Sequence, residues 1–106
     1  MRGLIPLVVA IAACSATAEA GDPAAGKKKA AMCRACHGLD GLGKIPDAPN
    51  IAGQKETYLV QQLTAFKSGE RKNEQMTIMA KTLSDEDIAN VAAYYASIKI
   101  TVQVPP

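Results

Sequence analysis

The sequence predicts an all-α fold in a single domain. Three segments carry apolar or small residues at helical spacing, and no segment shows a convincing strand pattern. The stretches between these segments are rich in glycine and proline, which is typical of loops. With 106 residues, the chain is long enough for one domain at most. We therefore expect three helices and the loops that join them.

The first predicted helix spans residues 23–34. Asp22 can cap its N-terminus, and Pro23 suits the first helical position because no backbone N–H donor is needed there. Gly26 and Ala30 follow on one side of this helix. Because both side chains are small, they allow another helix to approach closely.

The second and third predicted helices lie in the C-terminal half of the chain. Residues 55–67 form the second, since Leu59, Leu63 and Phe66 recur at helical spacing. The third begins after Ser84, which has an acidic residue three positions later, a pattern close to a capping box. This helix is predicted to end near residue 98. Its apolar stripe consists of Ile88, Val91, Ala92, Tyr95 and Ile98.

Two long loops are predicted between the helices. Residues 38–54 contain four glycines and two prolines without a sustained periodicity. A loop of this length in a small domain usually has a function, such as enclosing a bound group. Residues 70–83 form the second predicted loop, which contains Met76 and Met79.

The most informative motif follows the first helix, at Cys33-Arg34-Ala35-Cys36-His37. A C-x-x-C-H run is the attachment signature of a c-type haem. At this spacing the two thiols can bond to the two vinyl groups of one porphyrin, and the next residue can supply an imidazole to the iron. His37 is the only histidine of the chain. We therefore predict one covalent haem c, bound through Cys33 and Cys36, with His37 as an iron ligand.

Two other functions for the cysteine pair remain open. A structural zinc site needs about four nitrogen or sulfur ligands, and beside this cysteine pair the chain offers only His37 and Cys14. Cys14 lies in an N-terminal segment that we expect to be removed, so the ligand count falls short. A thioredoxin-like redox pair is expected beside a βαβ unit, and no convincing strand lies near Cys33 and Cys36. Both patterns therefore fit the chain less well than a haem does.

The N-terminus resembles a secretion signal. Arg2 provides the positive charge, residues 4–13 are apolar, and Ala18-Glu19-Ala20 fits a cleavage site. An apolar segment of this length is too short to span a bilayer. We expect residues 1–20 to be removed, which leaves a domain at 21–106. Lipidation at Cys14, whose preceding residues resemble a lipobox, is the alternative, and either route predicts export.

The charge of the chain is mild. The formal net charge is +2, whereas proteins that bind nucleic acid usually have a strongly basic face. Nucleic acid is therefore not an expected partner. The run Lys27-Lys28-Lys29 fits a solvated helix face.

The whole predicted mature chain resembles the class I c-type cytochromes, of the small bacterial monohaem kind, and is similar to one half of the dihaem members. This resemblance implies crossing N- and C-terminal helices, a middle helix and loops that enclose one haem. It implies that Gly26 lies at the helix crossing, opposite Val91 and Tyr94. It also implies that the carbonyl of Pro49 holds the haem-ligating histidine.

The sixth iron ligand is predicted to be a methionine. After His37, the only strong neutral candidates in the mature chain are Met32, Met76 and Met79. Met32 directly precedes the haem motif, so it cannot reach the opposite face of the ring. The residues alone leave Met76 and Met79 open. The resemblance favours Met76, seven residues before the leucine that precedes the last helix.

These observations predict a periplasmic single-electron carrier with His/Met-ligated iron, and not an enzyme. The expected partners are redox proteins, and the chain is expected to be a monomer. A second hypothesis is that the domain is the haem-bearing electron-transfer subunit of a redox enzyme complex. A haem sensor or a peroxidase-like enzyme would instead need an open sixth site on the iron.

Overall fold

The structure is a computed structural model that describes residues 3–13 and 20–106. It contains five α-helices, and the described ranges include no strand. The helices are α1 (Pro23–Lys29), α2 (Arg34–His37), α3 (Glu56–Ser68), α4 (Glu74–Lys81) and α5 (Asp85–Ser97). The predicted all-α fold is confirmed.

The first helix is shorter than the predicted range 23–34. Asp22 caps α1 as expected, by accepting from the N–H of Ala24. After Lys29 the chain tightens into a 3₁₀ turn, Ala30–Met32, and then forms α2. In this turn the N–H of Cys33 donates to the carbonyl of Ala30, three residues back. Helix propensity does not distinguish this tighter bonding from a continuous helix, so the break could not be predicted.

Helices α3 and α5 agree with the sequence analysis to within a residue or two. α3 ends at Gly69, which has a left-handed backbone with φ of 83°. The capping box of α5 is confirmed, because the Ser84 hydroxyl accepts from the Asp87 N–H while the Asp87 carboxylate accepts from the Ser84 N–H.

The prediction of a loop throughout residues 70–83 is wrong, because α4 occupies most of that range. Asn73 caps this helix by accepting from the backbone N–H groups of Gln75 and Met76. Glu74 lies in its first turn and Lys81 in its last, where each charge favours the helix dipole. The residues before Met76 are polar, so this two-turn helix shows little apolar periodicity in the sequence.

The crossing of α1 and α5 depends on Gly26. This glycine is buried, and a Cβ built on it would lie 1.8 Å from the backbone oxygen of Asn90. The same Cβ would lie 3.0 Å from Cβ of Tyr94. A glycine is therefore required for this close approach, and the predicted small residue at the crossing is confirmed.

The hydrophobic core lies between the 3₁₀ turn, α3 and α5. Its central cluster of buried residues comprises Ala30, Leu59, Val91, Ala92 and Tyr95. Helix α3 packs against both α5 and α4. Cys33 packs against the edge of the cluster, so the core directly supports the predicted haem motif.

The predicted signal segment is described only in part. Residues 3–13 form no helix, and their apolar side chains are exposed, as at Leu4. Arg2, Cys14 and residues 18–19 lie outside the described residues. Among the helices that the structure does describe, none has the length and apolar character needed to cross a membrane.

Candidate functional site

Helix α2 presents the haem motif as a single helical turn. The N–H of His37 donates to the carbonyl of Cys33 at 2.9 Å, and the N–H of Gly38 donates to Arg34 at 3.0 Å. Gly38 then ends the turn with a φ of 72°. Because this φ is rare for residues with a side chain, the glycine lets the chain leave the helix immediately after His37.

His37 is buried and oriented by a backbone carbonyl. Its side chain is 8% exposed, and Nδ1 lies 2.9 Å from the carbonyl oxygen of Pro49. A carbonyl can only accept, so Nδ1 carries the proton in this contact. Nε2 makes no hydrogen bond within the described residues. The imidazole is thus set up to offer Nε2 as a ligand.

Residues 38–53, here called the proximal loop, hold Pro49 in this position. The carbonyl of Gly41 accepts from the N–H groups of Ile51 and Ala52, at 2.7 Å and 3.0 Å. The side chain of Asn50 accepts from the N–H of Gly43 at 2.8 Å. These bonds on either side of Pro49 fix the loop that bears its carbonyl.

Two tyrosines of α5 also hold the proximal loop. The Tyr95 hydroxyl donates to the carbonyl of Gly38 at 2.9 Å, and the Tyr94 hydroxyl donates to the carbonyl of Leu39. From the sequence alone, both tyrosines are expected only to pack against other helices. Helical periodicity identifies which residues face the core, but it does not show where a phenol hydroxyl donates.

The two motif cysteines are free thiols, each half-buried. Burial raises the pKa of the Cys33 thiol above its ordinary value, and the neighbouring Cys36 adds to the rise. This thiol therefore stays protonated at neutral pH. A thioredoxin-like redox pair would instead be expected to have a thiolate of lowered pKa.

The donor set of this segment fits a haem c. Cys33 and Cys36 offer two unpaired thiols at the C-x-x-C spacing, and His37 offers an unbonded Nε2 directly after them. Thiols and an imidazole are the groups that attach and ligate this cofactor. The three residues lie in one continuous turn.

Met76 and Met79 lie apart from that turn, on α4. Both are half-buried, and their helix packs against α3. Three residues apart on a helix, they lie on nearly the same face. The backbone N–H of Met76 donates to the Asn73 side chain at 2.9 Å, which ties it to the helix cap. The structure therefore leaves both methionines on one surface.

Comparisons with known proteins place these features in a family. The family model described as cytochrome c matches residues 23–99. A cytochrome c4 of Pseudomonas aeruginosa is 44% identical over 99 residues, which are 93% of this chain and 49% of that protein. Cytochrome c-554(548) of Halomonas halodenitrificans is 53% identical over 81 residues, 74% of this chain and 98% of that protein.

Solved structures agree with the sequence matches. The reduced recombinant cytochrome c4 of Pseudomonas stutzeri superposes with a TM-score of 0.71 at 44% identity, over 78% of this chain and 48% of that one. A thiosulfate dehydrogenase, TsdBA, of Marichromatium purpuratum superposes with a TM-score of 0.69 at 31% identity, over 91% of this chain and 22% of that one. The chain thus spans about half the length of the cytochromes c4 that it matches.

Proposed function

This chain belongs to the cytochrome c family, and we propose from that premise that it is a periplasmic single-electron carrier with one covalent haem c. The observation that carries the proposal is the His37 side chain, which is buried, bound through Nδ1 to the Pro49 carbonyl and free at Nε2. It follows two free thiols at the spacing used for haem attachment. A carrier needs a ligand set that stays in place when the iron changes its charge.

The proposed roles of the residues follow from their chemistry. When bound, haem c supplies an iron that takes up and releases one electron. Cys33 and Cys36 would hold it through their sulfurs, and His37 would ligate the iron through Nε2. The Pro49 carbonyl keeps the proton on Nδ1, which strengthens the imidazole as a ligand. These roles bind a redox cofactor and ligate its iron, so the role that we propose for the protein is electron transfer as a carrier, and not catalysis as an enzyme.

Met76 is the proposed sixth ligand. It is half-buried on α4, and the Asn73 cap holds its backbone. A thioether opposite an imidazole favours ferrous iron and raises the reduction potential, as suits a carrier. It would also occupy the site that a sensor or peroxidase needs open. Met79 is the competing candidate on the same helix.

Haem attachment is tested by extracting the purified exported protein with acidic acetone. The haem should stay on the polypeptide, whose mass should exceed that of the bare chain by one haem. Cys33→Ser and Cys36→Ser should each leave at most one thioether. Complete release of haem from the unmodified protein would contradict covalent attachment.

The carrier function is tested by cycling the protein between oxidation states without a partner. A stoichiometric reductant followed by ferricyanide should reduce and reoxidise the haem repeatedly, with no loss of signal. The protein should consume no peroxide. Peroxide consumption at a rate typical of an enzyme would instead favour the peroxidase-like function.

A second candidate function is that of a haem-bearing subunit of a redox enzyme complex. The similarity to part of the thiosulfate dehydrogenase TsdBA of Marichromatium purpuratum favours this candidate. A carrier should migrate alone in gel filtration of a gently lysed extract, at the size of a monomer. Co-migration with an oxidoreductase in a fixed stoichiometry would favour the hypothesis that the chain is a subunit of an enzyme complex.

Export through a cleaved signal at residues 1–20 is also proposed. Packing begins at the proposed first residue of the mature chain, because the N–H of Gly21 donates to Glu56 at 3.3 Å. A Cβ on Gly21 would lie 1.9 Å from the carbonyl oxygen of Ala89, so this residue fits closely against α5. The mass of the periplasmic protein should correspond to residues 21–106 plus one haem. A mass that includes diacylglycerol on Cys14 would indicate the lipoprotein alternative.

A further inference from the structure

Tyr95 binds both ends of the proximal loop. Its side-chain hydroxyl donates to the carbonyl of Gly38, at the start of the loop, at 2.9 Å. Its backbone carbonyl accepts from the N–H of Gly53, at the end of the loop, also at 2.9 Å. One residue of α5 therefore closes the loop that carries the Pro49 carbonyl to His37.

Tyr94 adds a second contact at the start of the loop, because its hydroxyl donates to the carbonyl of Leu39. The two carbonyls that receive the hydroxyls directly follow His37 in the chain. The rings of Tyr94 and Tyr95 lie 5.0 Å apart between centroids and are tilted by 59°. Both hydroxyl donors therefore belong to α5, which packs into the hydrophobic core.

The hydroxyls are not needed to fill space. Tyr95 is 1% exposed, and a phenylalanine at this position would fill the same apolar volume without a buried polar atom. A buried hydroxyl is costly unless it is hydrogen-bonded. Here each hydroxyl donates to a backbone carbonyl in the turn after His37. Each hydrogen bond therefore fixes the position of this turn relative to α5.

We propose that Tyr95, supported by Tyr94, is a positioning residue for His37. It holds the two ends of the proximal loop together, so that the Pro49 carbonyl stays on Nδ1 and the imidazole keeps one orientation. This inference rests on the proposed function, in which His37 is the proximal ligand. It gives α5 a role in the site. The tyrosine hydroxyls of this helix fix the proximal loop, and the loop in turn orients the His37 imidazole.

The test compares the variants Tyr95→Phe and Tyr94→Phe with the control Tyr58→Phe. Tyr58 lies on α3 and is 44% exposed, so the loss of its hydroxyl should not affect the proximal loop. The quantity measured is hydrogen exchange of the His37 Nδ1–H in the reduced holoprotein, by NMR. Exchange of the Val91 and Ala92 amides in α5 is recorded in parallel, as a measure of global stability. A merely structural role would change the exchange at His37 and in α5 by the same factor.

Tyr95→Phe should accelerate exchange at Nδ1 about tenfold more than exchange of the α5 amides, since it leaves a buried carbonyl without its donor. Tyr94→Phe should act in the same direction and more weakly, and Tyr58→Phe should change neither. Equal acceleration at both places, or no acceleration at His37, would overturn the proposal. If Tyr95→Phe yields no holoprotein, the same comparison on Tyr94→Phe decides the outcome.

The reduction potential supplies an independent measurement. Loosening the Pro49 contact makes the imidazole a weaker donor to ferric iron, so the potential of Tyr95→Phe should rise. An unchanged or lower potential in that variant would count against the positioning role. Failure of the unmodified protein to bind haem would refute the proposed function. In contrast, a haem-bearing Tyr95→Phe protein with wild-type exchange would refute only the role of Tyr95.

Discussion

At the scale of single residues, Met76 and Met79 are the two candidates for the proposed second iron ligand. Met76 and Met79 have the same side chain, the same half-buried environment and nearly the same helix face. They differ in their backbone, because only Met76 lies in the first turn of α4, under the Asn73 cap. The Asn73 side chain thus fixes where the backbone of Met76 enters the helix. The preference for Met76 as the ligand comes from the family resemblance, which favours the methionine seven residues before Leu83.

We expect Met76→Ala and Met79→Ala to behave differently. Met76→Ala should abolish the near-infrared sulfur-to-iron band of the ferric protein, lower the reduction potential and let carbon monoxide bind the ferrous iron. Met79→Ala is the matched control and should leave all three nearly unchanged. The reverse behaviour would assign the ligand to Met79, and unchanged spectra in both variants would remove methionine from the sixth site.

The sequence predicts side-chain chemistry better than it predicts the contacts that orient it. Cys33, Cys36 and His37 follow from their spacing alone. The Pro49 carbonyl was expected only through the family resemblance, because a backbone acceptor has no sequence signature. The hydroxyl contacts of Tyr94 and Tyr95 were not expected, since they join residues more than fifty positions apart.

At the scale of helices, the crossing of α1 and α5 determines where the haem motif lies. Gly26 allows the two backbones to touch, and the chain then runs through the 3₁₀ turn to α2. The small-residue pattern predicted the crossing. The 3₁₀ turn and α4 were not predicted, because neither depends mainly on apolar periodicity. Tertiary packing determines the turn, and the Asn73 side-chain cap helps to determine α4.

Gly26→Ala should therefore destabilise the fold severely. The added Cβ would overlap the Asn90 backbone oxygen, at 1.8 Å, so the two helices would have to separate. We expect a loss of at least about 3 kcal/mol in the free energy of unfolding, at the upper end of the overpacking range. Denaturant unfolding of the holoprotein measures it, with the exposed Lys28→Ala on the same helix as control. A loss equal to that of Lys28→Ala would show that the crossing tolerates a methyl group.

The capping box of α5 predicts a dependence of stability on pH. The Ser84 backbone N–H that donates to Asp87 lowers the pKa of this carboxyl, and the Ser84 hydroxyl and Lys29 act in the same direction. A lowered pKa in the folded state means that the ionised form is favoured by folding. Its stabilisation is present above the unfolded pKa of about 3.9 and is lost as the pH falls through the lower folded value.

Asp87→Asn should accordingly lower the melting temperature at neutral pH, with a difference from wild type that shrinks below about pH 4. Thermal unfolding followed by circular dichroism across this range measures the difference. Asp85→Asn, in the same first turn but outside the capping box, is the control and should cost less. A difference for Asp87→Asn that persists undiminished in acid would exclude the carboxylate as its cause.

At the scale of the whole molecule, docking depends on which surface charges are free. Lys44, Lys72 and Lys81 lie in the segments proposed to flank the haem. Lys44 already pairs with Asp40 at 2.9 Å, so part of its charge is compensated. Lys72 and Lys81 form no ion pair within the described ranges, and with the exposed Ile78 they line one shallow depression beside α4. These two lysines are the better candidates for attracting an acidic redox partner.

Lys72→Gln and Lys81→Gln should each slow electron transfer to an acidic physiological partner at low ionic strength. The effect should fade as salt screens the charges, with a screening length of about 10 Å at 0.1 M. Lys44→Gln should have a smaller effect, and Lys28→Gln on α1 serves as the distant control. Stopped-flow rates measured over a range of salt concentrations test this. Rates that do not depend on salt would remove electrostatic steering and leave the carrier function intact.

We propose that this domain would hold one covalent haem, ligate its iron with two of its own side chains and pass single electrons. A spectroelectrochemical titration of the purified exported protein, with and without carbon monoxide, tests it most directly. We predict one reversible one-electron transition at a positive potential, which carbon monoxide leaves unchanged. A transition that carbon monoxide shifts, or ferrous iron that binds this ligand at once, would show an open site and contradict the claim.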